Sequence, residues 1–220
     1  MSTSTRFSFL FLIVIAFLVS CKNDQPGVAS SVPEYNPMIS AFTSGVVSTE
    51  SSVRVRFAEQ FADSVSPNSS VKGSVITLTP GVEGNTYYID QQTIEFVPNE
   101  RLSPGTGYTV SVKLSRLFPE VKGNRSFSFG FHTIEQHLSL ELAAFRPYND
   151  YRPEKNYLQG ILRTTDVADP SSVEAVLAAE QDRRELPVKW QHSDDGREHA
   201  FRIDSVERSD EERIVRIRYN

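Results

Sequence analysis

The sequence predicts an all-β protein in which a signal peptide and a flexible tether precede two β-sandwich domains, the second with one short helix. Two observations predict this class. Apolar and polar residues alternate with a period of two along most of the chain after residue 38, as in strands that bury one face. Turns containing Pro or Gly separate these runs, and the strand-favouring residues Val, Ile, Thr, Phe and Tyr are frequent.

The first element is an export signal. Residues 7–19 are almost entirely apolar, but the run is shorter than the ~20 residues that a membrane-spanning helix needs. It ends in Leu18-Val19-Ser20-Cys21, which resembles the lipobox of bacterial lipoproteins. The resemblance implies that residues 1–20 are a lipoprotein signal peptide and that Cys21 is acylated, for example with palmitate. We therefore expect a lipid anchor in the bacterial cell envelope, at the periplasmic or surface face of the outer membrane. An ordinary signal peptide or a core helix is the alternative.

The amino-acid composition excludes several kinds of site and partner. Cys21 is the only cysteine among 220 residues, so the sequence predicts no disulfide and no zinc–thiolate site. The formal net charge of -5 lacks the basic excess that nucleic-acid binding favours. We therefore expect the membrane, through the acyl chains on Cys21, as a partner, and we expect no nucleic acid, metal or cofactor.

The next two segments are a tether and a first domain. Residues 21–37 comprise the lipidated Cys21 and a Pro-rich stretch without apolar periodicity, which predicts a flexible linker. Residues 38–134 predict an immunoglobulin-like β-sandwich of about seven short strands, with a barrel as the alternative. Its clearest alternating runs are 53–57, 76–79, 94–97, 108–112 and 127–131.

One short segment of this domain is more specific. Residues 102–110, LSPGTGYTV, are similar to the corner between strands E and F of many immunoglobulin-like modules. There a Tyr hydroxyl bonds to the backbone a few residues upstream, so we expect Tyr108 to do this. The alternative is a plain core aromatic, and both roles are structural.

Residues 135–220 predict a second β-domain. Strands are expected at 138–145, 157–165, 186–190, 199–203 and 214–219. A helix is expected after Asp169-Pro170, because Val173, Val176 and Leu177 have helical spacing behind a capping residue and a proline. The last strand is complete only at the end of the sequence, so we expect the domain to be truncated there and more protein to follow.

The order of lipobox, tether, sandwich and second β-domain resembles the N-terminal region of the bacterial alpha-2-macroglobulin family. The resemblance rests on residues 39–61, 76–114, 127–133 and 157–193, and it implies macroglobulin-like domains with a scaffold role. Family members carry a bait region that proteases cut, and many carry a thioester built from a Cys-x-Glu-Gln motif. Cys21 is followed by Lys22-Asn23-Asp24, so no thioester can be assigned here.

Candidate catalytic groups are few. His132 and His137 lack a metal-binding spacing, and the Ser, His and Asp of residues 191–196 predict a hairpin turn rather than a triad. Trp190 shares an alternating face with Leu186 and Val188, which predicts a core position rather than a sugar-stacking platform.

We therefore predict that the protein is not an enzyme. The first hypothesis is a membrane-anchored envelope lipoprotein that forms the scaffold part of an alpha-2-macroglobulin-like endopeptidase inhibitor, meeting proteases through a longer parent chain. The alternative is a stand-alone surface lipoprotein that acts as an adhesin or glycan-binding module. The choice between them depends on the resemblance, because this fold hosts many functions.

Overall fold

The computed structural model describes residues 33–122 and 125–219. The predicted signal peptide, Cys21 and most of the predicted tether lie outside these ranges. The described residues form fifteen strands, one short α-helix and one turn of 3-10 helix, so the predicted all-β class is confirmed. In this part of the chain no helix is long and apolar enough to cross a membrane.

The first eight strands form two four-stranded sheets that pack face to face. The strand order is β1-β3-β6-β5 in one sheet and β2-β8-β7-β4 in the other. A 3-10 helix, Leu114–Arg116, precedes the last strand. The strands are β1 Ile39–Phe42, β2 Val46–Val47, β3 Val53–Phe57, β4 Ile76–Thr79, β5 Gly84–Tyr88, β6 Thr93–Pro98, β7 Gly107–Lys113 and β8 Ser126–Thr133.

The alternating runs place one face of each strand in a shared core. In β3 the residues alternate strictly between buried and exposed, and in β8 the three phenylalanines Phe127, Phe129 and Phe131 all point inward. Phe57 of one sheet and Phe129 of the other are fully buried in the same apolar cluster. The period of two therefore identified the core-facing side of these strands correctly.

Three strands of this sandwich were not predicted. β1 and β2 are short, and the two residues of β2 pair in parallel with His132 and Thr133 of β8. β5 begins with Gly84-Asn85, which reads as a turn. A glycine is needed at this position because the Phe96 ring packs closely against it. A β-carbon at Gly84 would lie 2.5 Å from that ring. β5 was therefore not predicted, because its first two residues are typical of a turn and its strand conformation depends on pairing with β6.

The Tyr108 corner is confirmed. The Tyr108 hydroxyl accepts a hydrogen bond from the backbone N–H of Ser103 at 3.0 Å, and the Tyr108 ring stacks on Phe131. Leu102 is buried beside it in the core. Gly105 adopts a φ of 59°, which suits a glycine at the turn.

The remaining strands form a second pair of sheets. The four-stranded sheet has the order β13-β14-β10-β9, and the three-stranded sheet has the order β12-β11-β15. The elements are β9 Leu138–Pro147, β10 Lys155–Thr164, α1 Pro170–Val176, β11 Leu177–Gln181, β12 Arg184–Leu186, β13 Val188–His192, β14 Glu198–Glu207 and β15 Val215–Tyr219.

The predicted helix is confirmed. The Asp169 side chain caps it by accepting a hydrogen bond from the backbone N–H of Ser172 at 3.1 Å, and Pro170 opens the first turn. Val173 is buried. Val176 ends the helix, and Leu177 begins β11 instead of continuing the helical face as its spacing suggested.

The prediction of a single strand at 186–190 is wrong. Pro187 lacks a backbone N–H and separates two strands, so that Leu186 belongs to the three-stranded sheet and Val188 to the four-stranded sheet. Trp190 packs against the core as expected, with its ring centroid 5.4 Å from that of Phe201. The hairpin turn predicted at residues 191–196 joins β13 to β14, with Gly196 at a φ of 63°.

Candidate functional site

The predicted lipidation site, Cys21, lies outside the described residues. The acylation of its thiol therefore stays a prediction, as do the signal peptide and the membrane partner. The described residues instead reveal a polar junction between the two sandwiches, formed by charged and polar side chains of both units.

Asp166 is the centre of this junction. It follows β10, and its carboxylate is only 2% exposed. One carboxylate oxygen accepts hydrogen bonds from the backbone N–H of Thr49 at 2.7 Å and from the Thr49 hydroxyl at 2.9 Å. The other accepts from the Ser48 hydroxyl at 2.7 Å and faces an Arg197 nitrogen at 3.4 Å. A carboxylate of the second unit thus binds two consecutive residues of the first.

The protonation of Asp166 follows from these contacts. Burial alone would raise the pKa of its carboxyl group. The hydrogen bonds from the Thr49 backbone and the Ser48 hydroxyl outweigh burial and lower the pKa from 3.8 to about 2. Asp166 is therefore a carboxylate at neutral pH, and the junction is held by charge-assisted hydrogen bonds, which are stronger than neutral ones.

The segment that joins the two units is fixed to the same place. The Gln136 side chain accepts a hydrogen bond from the Asp166 backbone N–H at 2.9 Å and donates one to the Asp166 carbonyl at 3.2 Å. The Thr165 hydroxyl donates to the Glu135 carbonyl at 2.6 Å and accepts from the His137 backbone N–H at 2.9 Å. The connector is therefore bonded to the second unit along most of its length.

A histidine pair lies at the end of the β13–β14 hairpin, whose turn also contains Arg197. The Nδ1 atoms of His192 and His199 are 2.9 Å apart, so one donates and the other accepts. His192 Nε2 lies 3.1 Å from Glu174 on α1. His199 is fully buried, and its Nε2 finds no partner among the described residues. Burial, and next the charge of His192, lower the pKa of His199.

These histidines do not form a metal site. Glu174 contacts His192 on the nitrogen opposite to the one that meets His199, so the three side chains do not converge on one point. Within residues 33–122 and 125–219 no group of three or more His, Cys, Asp or Glu side chains is arranged to hold a metal ion. The four-ligand shell typical of a structural zinc has no counterpart in these ranges.

A cation–aromatic cluster covers part of the outer face of the four-stranded sheet. The guanidinium of Arg202 lies 4.0 Å from the centre of the Tyr157 ring and 5.1 Å from that of Tyr148. Arg202 also donates to Asp204 at 2.7 Å, and Lys189 approaches the other oxygen of Asp204 at 2.7 Å. Each charge in the cluster already has a partner, which favours a stabilising role.

The sequence did not identify Asp166. Asp166 lies directly after the strand predicted at 157–165, and its partners Ser48 and Thr49 lie well over one hundred positions earlier in the chain. Nothing local predicts that pairing, because only the folded arrangement of two domains brings these residues together. The one available signal was the polar run Thr164-Thr165-Asp166 directly after an apolar strand.

Comparison with known proteins gives one family. Residues 22–133 match the family described as bacterial Ig-like domain. No curated protein sequence matches the chain.

Similar solved structures include two enzymes. An L,D-transpeptidase from Mycobacterium tuberculosis H37Rv is similar at 15% identity over 78% of this chain and 78% of that chain, with a TM-score of 0.32. L,D-transpeptidase 3 from the same species is similar at 14% identity over 79% and 78%, with a TM-score of 0.32. At these values we draw no conclusion about fold or activity from either structure.

Proposed function

The chain belongs to the bacterial Ig-like domain family, and from that premise we propose that it is a non-catalytic, lipid-anchored scaffold protein of the bacterial cell envelope. The family match begins at Lys22, directly after the predicted acylation site. This position supports a mature protein in which Cys21 holds the membrane and the Ig-like fold follows.

The observation that carries the proposal is the sequence Leu18-Val19-Ser20-Cys21 at the end of a short apolar segment. Each methylene of an acyl chain contributes roughly 0.8 kcal/mol to membrane binding, so two or three chains hold a protein on a bilayer for very long times. The tether of residues 21–37 then separates the anchor from the first sandwich.

The junction at Asp166 supports the scaffold role. It joins the two sandwiches by several hydrogen bonds to one buried carboxylate. The sandwiches therefore form a connected stack rather than two domains joined only by a flexible linker. A connected stack moves as one body at the end of the flexible tether, so whatever it carries stays at a defined distance from the first sandwich.

Substitution of Cys21 tests the anchor. Cells that express Cys21→Ser should release the protein from the membrane fraction, and metabolic labelling with palmitate should give no signal on it. Ser20→Ala is the matched control, because it keeps a small residue before the cysteine and should leave labelling intact. If the Cys21→Ser protein stays on membranes and still incorporates palmitate, the proposal is wrong.

We further propose that this scaffold is the leading part of an alpha-2-macroglobulin-like endopeptidase inhibitor. The order of lipobox, tether, Ig-like sandwich and second β-domain supports this proposal. The test is the parent reading frame. It should continue past Asn220 into further β-domains, and a stop codon directly after Asn220 in an intact gene would contradict the proposal.

A further inference from the structure

The second sandwich has an open side that carries a row of exposed apolar side chains. β9 is ten residues long and ends the order of its sheet. Four of its apolar residues, which we call the β9 stripe, are partly exposed. They are Leu138 (44% exposed), Leu140 (38%), Leu142 (53%) and Phe145 (50%). Single exposed apolar residues are common on proteins, whereas several in a row along an edge strand mark a contact surface.

The β9 stripe lies on the interior face of its sheet. Residues that pair directly across antiparallel strands share a face. Leu140 pairs with Leu162, which is 1% exposed, and Phe145 pairs with Leu158, which packs against the core of the second sandwich. The stripe is therefore core-facing surface that the opposite sheet leaves uncovered.

The opposite sheet stops short of β9. Its order is β12-β11-β15, and β12 contacts β14, so β15 is the strand on the side of β9. Val215 and Ile217 of β15 pack against the core, whereas Tyr219 is largely exposed. In the part of the chain that the structure describes, no strand pairs with the outer edge of β15, which leaves the backbone groups of that edge available for a further strand.

The charges beside the outer edge of β15 indicate which kind of strand would pair with it. Arg216 and Arg218 project from β15 on the face opposite to the core, and both are exposed. They share a single carboxylate, that of Glu180, which Arg216 approaches at 3.6 Å and which also bonds Arg218. Two guanidinium groups for one carboxylate leave a positive excess, which favours acidic side chains on a neighbouring strand.

We propose that this open side is a strand-acceptor site. An extended polypeptide segment adds to the outer edge of β15, its alternate apolar side chains cover the β9 stripe, and acidic side chains between them pair with Arg216 and Arg218. Main-chain hydrogen bonds to β15 supply affinity, and the alternation of apolar and acidic side chains supplies specificity, as in other cases of β-strand addition.

Residues 33–38, the first that the structure describes, are poorly placed to be that strand. Residues 33–38 lie beside residues 125–128, at the start of β8, whereas β8 ends at Thr133 next to the second unit. Eight residues of strand at ~3.3 Å each separate these two ends by about 25 Å. The acceptor site therefore takes a strand from outside residues 33–219.

A fused strand tests the site. To residues 22–220 we would append Gly, which with Asn220 gives the Asn-Gly pair that favours a two-residue hairpin turn, and then Val-Glu-Val-Glu-Val. In that hairpin the valines lie opposite Tyr219, Ile217 and Val215, and the glutamates lie opposite Arg218 and Arg216. The matched control is Glu-Val-Glu-Val-Glu, which reverses the two faces with nearly the same composition.

The acceptor site predicts a difference between the two fusions. The Val-first strand should raise the thermal midpoint of the second unit by about 5 °C. It should also slow amide exchange in β15 at least tenfold and reduce fluorescence of the apolar dye ANS at least twofold. The control should do none of these. Equal behaviour of the two fusions would overturn the proposal.

A second copy of the chain is the competing occupant. Sedimentation of unmodified residues 22–220, together with amide exchange, decides between them. A monomer in which the β15 amides that face away from β11 are unprotected supports an acceptor for another strand. A dimer in which the β15 amides are already protected would overturn the proposal, since the open side would then be an interface between two copies.

Discussion

The two sandwiches are built from similar strands, yet one closes its core and the other does not. Among the residues that the structure describes, twenty apolar residues are buried in one cluster of the first sandwich, whereas the corresponding cluster of the second sandwich has six. In the first, both sheets have four strands and cover each other; in the second, a three-stranded sheet faces a four-stranded one. Alternation along a strand therefore reports which residues share a face, but not whether anything covers that face.

The largest expected effect separates the two cores directly. Phe129→Ala removes a ring that is fully buried in the first sandwich, and we expect it to lower the free energy of unfolding by about 3–5 kcal/mol. Phe145→Ala removes a half-exposed ring from the β9 stripe, and we expect it to cost less than about 1 kcal/mol. Urea unfolding of both variants measures these values. Equal losses would mean that the β9 stripe is covered in solution.

The junction predicts the next largest effect. Asp166→Asn replaces a carboxylate that accepts three short hydrogen bonds, and we expect a loss of about 2–3 kcal/mol because an amide turns a donor toward buried donors. We also expect the two units to unfold in one transition in the natural sequence and in two transitions in the variant. Calorimetry measures both. The matched control is Asp182→Asn, an exposed turn position, which should leave the trace unchanged.

The same carboxylate predicts a pH dependence. The pKa of Asp166 falls from 3.8 to about 2 on folding, so the folded state favours the charged form by about 2 kcal/mol. This stabilisation is present in full above about pH 4 and is lost as the pH falls toward 2. Stability measured between pH 5 and pH 2 should therefore drop less steeply for Asp166→Asn than for the natural sequence. Parallel curves would contradict this assignment.

A smaller effect is expected at the corner of the first sandwich. Tyr108→Phe keeps the ring that stacks on Phe131 and removes the hydroxyl that accepts from the Ser103 backbone. We expect a loss of about 1 kcal/mol in urea unfolding, as is typical for one hydrogen bond. An unchanged midpoint would show that water replaces the Tyr108 hydroxyl without cost.

The smallest expected effect on stability lies on the open side. Leu142→Ser changes a half-exposed side chain of the β9 stripe, and we expect the free energy of unfolding to stay within about 0.5 kcal/mol. The binding of ANS should nevertheless fall, because the apolar surface that the dye contacts is reduced. A fall in stability as large as that of a core substitution would show that Leu142 is buried in solution.

Much of the first sandwich could be predicted from the sequence. β3, β4, β7 and β8 carry strict alternation, and the LSPGTGYTV segment predicted the Tyr108 hydrogen bond correctly. The α1 cap was also predictable, since Asp169-Pro170 is a strong local signal. β5 was missed because its Gly84-Asn85 start has the chemistry of a turn.

Long-range features could not be predicted. The pairing of Asp166 with Ser48 and Thr49 depends on how two domains meet, and the exposure of the β9 stripe depends on how many strands lie opposite to it. His199 is a further case, because its burial follows from the pairing of β14 with β10 and β13 rather than from its polar neighbours in sequence. Local pattern has no information about these arrangements.

The most direct test of a lipid anchor is the mass of the N-terminal peptide of the protein purified from membranes. We expect a mature chain that begins at Cys21, with lipid mass on this residue that includes at least two acyl chains. A mature chain that begins elsewhere, or one in which Cys21 has an unmodified thiol, would contradict the claim that this protein is a lipid-anchored scaffold.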